Sequence, residues 1–129
     1  MLISVCMATF NGGKYIREQV DSILNQEFNE NQGVELELVV SDDGSTDDTI
    51  QILESYHDVR IKIFKHQNNK KYKYLNATRA CKCNFENAMS NASGDYIFLS
   101  DQDDVWYPWK IDKQLSMLRN VGGGKCGSF

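Results

Sequence analysis

Gly94-Asp95-Tyr96-Ile97-Phe98-Leu99-Ser100-Asp101-Gln102-Asp103-Asp104-Val105-Trp106 joins an apolar run of strand length to three carboxylates within four residues. Carboxylates bunched in this way cannot lie inside a buried strand, where each would lose its hydration. They must sit on the loop that leaves it. There they repel one another unless a cation or donor groups offset the charge. A metal-bridged phosphate site is the first chemistry this stretch implies.

Outward from that strand, apolar runs alternate with stretches of helical period. Residues 2–8 form a continuous apolar run, followed by the turn Asn11-Gly12-Gly13. Ile16, Val20, Ile23 and Leu24 mark one helix face at i, i+4, i+7 and i+8. Residues 34–40 read as a second strand ending in Ser41-Asp42-Asp43-Gly44-Ser45. Ser45 and Asp48 are spaced as an N-cap and its N3 acid, which predicts a helix from there to about His57. Val59, Ile61 and Ile63 alternate with Arg60 and Lys62, predicting a third strand near the sheet edge. Residues 65–76 are polar and read as a loop. Cys81, Phe85, Ala88 and Met89 mark the next helix, with Gly94 at its left-handed C′ position. Residues 96–100 form the fourth strand, and Pro108 suits position N1 of a last helix carrying Ile111, Leu115 and Leu118.

The resulting β-α-β-α-β-α-β-α order predicts an α/β fold, a mostly parallel Rossmann-like sheet with helices on both faces and right-handed crossovers. At 129 residues the chain suits one domain that buries roughly two thirds of its unfolded surface. A net charge of −4 leaves no general basic footprint, which counts against nucleic acid as a partner. Any phosphate-bearing ligand must then be held locally, by backbone donors, a few cations or a metal. The first residues are apolar without a basic flank and read as a strand rather than a leader. Cys6, Cys81, Cys83 and Cys126 form no C-x-x-C pair, so free thiols in a reducing compartment are expected rather than a zinc site.

In an open parallel sheet, ligands bind beyond the carboxyl ends of the strands, where the strand order reverses. Three polar loops leave such ends: residues 9–13, residues 41–45 and residues 101–104. The first offers backbone groups, a Thr9 hydroxyl and a glycine turn into a helix N-terminus. Asp43 can accept from a nucleobase N–H or a ribose hydroxyl, although the same residues also fit a plain turn and helix cap. The third loop acts on a diphosphate only through a bridging Mg²⁺ or Mn²⁺, or binds hydroxyls directly. Trp106 and Trp109 read as helix-packing aromatics, with Trp106 near enough to the acids to line a sugar site. His57 and His66 fall in surface-like contexts. No G-x-G-x-x-G follows the first strand, and Gly124-Lys125-Cys126 lacks the rest of a phosphate-binding P-loop.

Three motifs in order resemble family 2 glycosyltransferases of the GT-A fold: residues 3–12, Asp42-Asp43-Gly44-Ser45-Thr46-Asp47, and residues 94–106. Asp101-Gln102-Asp103 looks like that family's D-x-D motif, and Ser-Asp-Gln-Asp-Asp-Val-Trp is similar to bacterial rhamnosyltransferase-like members. The resemblance implies a nucleotide-diphosphate-sugar donor, inversion at the anomeric carbon and a glycan or lipid-linked acceptor in bacterial surface polysaccharide synthesis. It places Ala8, Thr9, Asn11, Asp43 and Asp101 on the donor, with Asp103 and Asp101 on a Mg²⁺ or Mn²⁺ ion. It also implies a cytoplasmic protein, open to peripheral association with the inner face of the membrane. Residues 1–120 would be the nucleotide-sugar-binding domain and 121–129 a loose tail. Inverting members carry their acidic base on a later, acceptor-side segment. No residue here suits that role, so the chain is expected to be a donor-binding half.

Two alternatives stand beside this reading. Asp101-Gln102-Asp103-Asp104-Val105 fits the D-x-D-x-[TV] of a Mg²⁺-dependent haloacid-dehalogenase-type phosphohydrolase, with Asp101 as nucleophile. That motif ordinarily ends the first strand, whereas three strand–helix units precede it here. The other alternative is a non-catalytic nucleotide-binding module.

Overall fold

Four parallel strands and four helices alternate along the chain in the computed structural model, which describes residues 1–66, 77–101 and 104–120. They are β1 (Leu2–Thr9), α1 (Ile16–Leu24), β2 (Glu35–Asp42), α2 (Thr49–Glu54), β3 (Ile61–Lys65), α3 (Ala77–Ser90), β4 (Tyr96–Asp101) and α4 (Lys110–Asn120). The sheet order is β3-β2-β1-β4 and every neighbouring pair is parallel. The sequence therefore steps outward twice from β1, then returns to its other side with β4. That reversal explains the placement of the helices. A right-handed crossover puts α1 and α2 on one face while the chain steps one way, and α3 on the other face when it steps back.

The cores agree with this geometry. On the first face, Ile3, Val5 and Met7 of β1 and Leu36, Leu38 and Val40 of β2 pack with α1, α2 and α4. On the second, Cys6 and Val39 pack against Ala88 and Met89 of α3. Period-2 alternation sends neighbouring residues of one strand to opposite faces, and both faces are covered, so β1 and β2 read as nearly continuous apolar runs. Burial, with the Glu37 charge adding to it, pushes the Cys6 thiol up to about 12, so it is an inert packing group.

The second face also carries polar groups that must be satisfied. Glu37 accepts from Ser4 Oγ at 2.5 Å, from the Ser93 N–H at 2.7 Å and from Lys62 Nζ at 2.6 Å. Burial alone would raise its pKa, but these donors together hold the carboxyl below its ordinary value. Gly94 lies against the same strand. Its N–H donates to Ser4 Oγ, and a Cβ added there would come within 2.6 Å of the Ser4 nitrogen. Close approach to β1 thus accounts for this glycine, not the left-handed cap expected of it, since α3 ends four residues earlier at Ser90.

Two other helix starts differ from expectation. Helix α2 begins at Thr49, without a side-chain bond from Asp48. Ser45 is instead held by Asp42 Oδ1 at 2.5 Å, while Asp47 Oδ1 accepts from the Thr49 N–H at 3.0 Å. Helix α4 begins at Lys110, two residues beyond Pro108, whose carbonyl accepts from the Glu27 N–H at 2.7 Å. Strand β3 starts at Ile61 rather than Val59, which is exposed, and it does lie at the sheet edge. Residues 121–129, expected as a loose tail, and residues 67–76 of the expected loop lie outside the described residues.

The connection between α1 and β2 is fastened to α4 by one buried carboxylate. Asp112 accepts from the N–H groups of Asn29, Glu30 and Asn31 at 3.2, 3.0 and 2.9 Å, and from Asn31 Nδ2 at 2.9 Å. Burial alone would raise its pKa, yet these donors hold it below the ordinary aspartate value. A depressed folded pKa gives stability that is complete above about pH 4 and is lost as pH falls through the folded value. Asp112→Asn is therefore expected to cost about 2 kcal/mol at neutral pH, with the deficit closing in acid. Urea unfolding of both proteins between neutral and acid pH checks this; a deficit that ignores pH refutes it.

Candidate functional site

Because all four strands are parallel, Thr9, Asp42, Lys65 and Asp101 end at one edge of the sheet. The register pairs Thr9 with Asp42, Asp42 with Lys65, and Ala8 with both Ser41 and Asp101. The reversal of strand order falls between β1 and β4, so the loop after Thr9 and the end of β4 at Asp101 flank the crevice where such sheets bind ligands.

Two adjacent acids at the end of β2 have different tasks. The Asp42 carboxylate is 2% exposed and is taken up by Thr9 Oγ1 at 2.7 Å, the Ser45 N–H at 2.8 Å and Ser45 Oγ at 2.5 Å. It is a structural anchor. Gly44, at φ +81°, lets the chain turn back sharply enough for Ser45 to reach it. Asp43 donates its N–H to the Thr9 carbonyl at 3.0 Å, and its carboxylate lies 3.4 Å from His66 Nδ1. Of the two acids, Asp43 is the one with acceptor capacity left for a ligand.

The loop after β1 is tied to the loop after β2. Asn11, at φ +49°, accepts through Oδ1 from the Thr46 N–H at 2.8 Å and the Asp47 N–H at 3.3 Å, and donates its own N–H to Ser45 Oγ at 2.8 Å. The Gly13 N–H donates to Asp47 Oδ2 at 2.9 Å. Beneath them, Asn84 of α3 donates to the Thr9 carbonyl at 3.2 Å and accepts from Ser41 Oγ at 2.6 Å. Of the residues expected on the donor, Ala8 and Thr9 are buried at the strand end and Asn11 is exposed. The Thr9 hydroxyl and the Asn11 amide oxygen both serve to hold loops together.

On the other side of β1, Asp101 is exposed at the end of β4. The preceding residue is clamped from below, since buried Gln19 of α1 donates to Ser100 Oγ at 2.5 Å. Asp104 is exposed, while Gln102 and Asp103 lie outside the described residues. Trp106 is 5% exposed and belongs to the core, edge-on to Phe98 with ring centroids 6.5 Å apart. Trp109 is half exposed and stacked on Tyr107 at 5.1 Å. His57 is also exposed.

Among the described residues, no three metal-ligating side chains come together. The oxygen donors at this edge suit a hard divalent cation, with Asp101 on the described part of the acidic loop. A cavity of about 530 Å³ lies elsewhere, between the start of β2, Arg60 and the end of α1. It sits at the amino edge, away from the loops that carry acids and turned backbone.

Sequence reasoning placed His66 in a surface-like context, whereas its side chain is 19% exposed and lies against Asp43, and it overlooked Asn84. His66 follows β3 directly, and its position one strand over from Asp43 depends on the β2–β3 pairing, which no local pattern announces. Asn84 lies on the buried side of an otherwise amphipathic helix, and a polar residue on an apolar stripe was the signal available.

The open parallel α/β sheet, with Asp43, Asp101 and a tight turn at its carboxyl edge, has the layout of a doubly wound domain that binds ligands beside its switch point. The profile of Glycosyl transferase family 2 matches residues 4–123, and the chain belongs to that family. It is 31% identical over 119 residues to the Putative glycosyltransferase EpsE of Bacillus subtilis (strain 168), covering 90% of this chain and 38% of that protein. Against the UDP-Glc:alpha-D-GlcNAc-diphosphoundecaprenol beta-1,3-glucosyltransferase WfaP of Escherichia coli it is 32% identical over 117 residues, covering 91% of this chain and 41% of that protein. The crystal structure of S. aureus TarS 1-349 in complex with UDP-GlcNAc superposes with a TM-score of 0.72 at 28% identity, covering 93% of this chain and 32% of that one. The chain thus spans about two fifths or less of the length of these relatives. Family membership does not favour the phosphohydrolase alternative. No described helix is long and apolar enough to cross a membrane.

Proposed function

We propose that this chain binds the nucleotide-diphosphate-sugar donor of an inverting glycosyltransferase that serves bacterial surface polysaccharide synthesis, its acceptor being a glycan or lipid-linked sugar. The observation that carries the reading is the placement of Asp43 and Asp101 on either side of the β1 loop, at the carboxyl edge of the sheet. The relatives support it: TarS was crystallised with UDP-GlcNAc, and WfaP is named for a UDP-Glc donor and a diphosphoundecaprenol acceptor.

In this reading Asp43 accepts from the nucleoside, Ala8, Thr9 and Asn11 shape the loop beside it, and Asp101 receives hydroxyls of the donor. Asp101 and Asp103 would hold Mg²⁺ or Mn²⁺, which when bound offsets the charge of the departing diphosphate. Transfer breaks the bond from the anomeric carbon to phosphate oxygen and forms one to an acceptor oxygen, whose proton must go to a base. Residues 1–120 are assigned here to the donor side of that transfer. Cytoplasmic placement, with peripheral contact at the inner membrane face, fits such a donor.

Calorimetric titration with UDP, with and without Mn²⁺, tests this. The metal is expected to tighten UDP binding, and Asp103→Ala to remove about tenfold of affinity in its presence alone. Identical affinities for both proteins with Mn²⁺ overturn the metal assignment, and no binding of any nucleotide overturns the donor reading.

A further inference from the structure

His66 lies just beyond β3, where its N–H donates to the Asp42 carbonyl at 2.7 Å, one rung past the end of the strand. Its backbone is therefore held by the sheet. Its Nδ1 reaches within 3.4 Å of Asp43 Oδ1, and both side chains are largely enclosed, 19% and 9% exposed. An ionised carboxylate has no proton to give, so the proton in this contact belongs to Nδ1. Free neutral imidazole prefers its proton on Nε2, so the contact selects the less common tautomer.

We propose that His66 is a positioning residue that fixes the orientation of Asp43 and so sets which nucleobase the site accepts. The proposal rests on Asp43 facing the nucleoside. A carboxylate held by one oxygen keeps a single orientation and stays a pure acceptor. It then accepts a ring N–H, as on uracil, and is repelled by the ring nitrogen lone pair that cytosine presents at the same position. Released from His66, the carboxylate gains rotational freedom and can turn towards the exocyclic amine of cytosine. His66 thus acts on discrimination more than on affinity alone.

The test measures Kd for UDP and CDP by calorimetry on the wild-type chain, His66→Ala, His66→Asn and Asp43→Ala. His66→Ala is expected to weaken UDP about fivefold and to lower the UDP-over-CDP preference. His66→Asn, whose amide N–H stands near the position of Nδ1–H, is expected to restore both. A merely structural histidine would weaken both nucleotides alike, and an unchanged preference in His66→Ala, with UDP binding lost in Asp43→Ala, overturns the proposal. Nitrogen NMR of the ligand-free protein separates it from the donor reading. The Nδ1–H tautomer in the wild type supports the positioning contact even if Asp43 proves not to bind nucleotide. An Nε2–H tautomer in the wild type overturns it.

Discussion

Asp42→Ala is expected to cost about 3 kcal/mol of stability, while Asp43→Ala, one residue on, costs about 1 kcal/mol or less and removes nucleotide affinity instead. The contrast follows from their partners. Removing Asp42 strands the buried Thr9 hydroxyl and takes the acceptor from the half-buried Ser45 hydroxyl and N–H. Removing Asp43 loses a single long contact to His66 and leaves its backbone bond to Thr9 intact. Urea midpoints and UDP titrations on both variants decide the matter. Equal stability losses, or unaltered UDP binding in Asp43→Ala, would contradict this division of labour.

Gly94→Ala should be nearly as damaging, at about 3 kcal/mol, although alanine is the smallest possible change. Its Cβ would meet Ser4 Oγ at 2.5 Å, the Ser4 nitrogen at 2.6 Å and the Leu2 carbonyl at 2.9 Å. Two of these three atoms are backbone of a central strand, so they cannot swing aside like the end of a flexible side chain. Relief would require β4 to back away from β1, which loosens the pairing that delivers Asp101 to the site. The expected result is a lowered unfolding midpoint together with weakened nucleotide binding. A midpoint within about 0.5 kcal/mol of wild type would show that the close approach is easily relieved.

The strands and their order along the chain were legible because buried parallel strands appear as apolar runs bounded by Gly, Asp and Asn. The same alternation of strand and helix sufficed to place three polar loops at one edge. Boundaries were less readable where two local rules competed. Ser45 and Asp48 have the spacing of a capping box, yet Asp42 and Asn11 claim the Ser45 side chain, and the helix starts later. Gly94 fitted a cap by its position after a helix, whereas its actual constraint comes from Ser4, ninety residues away in sequence. His66 belongs to the same class of misses. Its significance arises from strand pairing, and from composition alone it is one more polar residue in a basic stretch.

The Asn11 bridge carries a thermodynamic consequence for whatever ligand arrives. Its carboxamide and the amides of Thr46 and Asp47 join the first two loops into one body before any nucleotide is present. Ordering a loop residue costs roughly 1–2 kcal/mol, and here folding has already met that cost on both sides of the β1–β2 half of the crevice. Association with that half should therefore proceed with little loss of chain entropy and little change in loop structure, the behaviour of a preformed mould. Cutting the stitch, rather than any group that touches ligand, is how this half of the site would be turned into an induced-fit one.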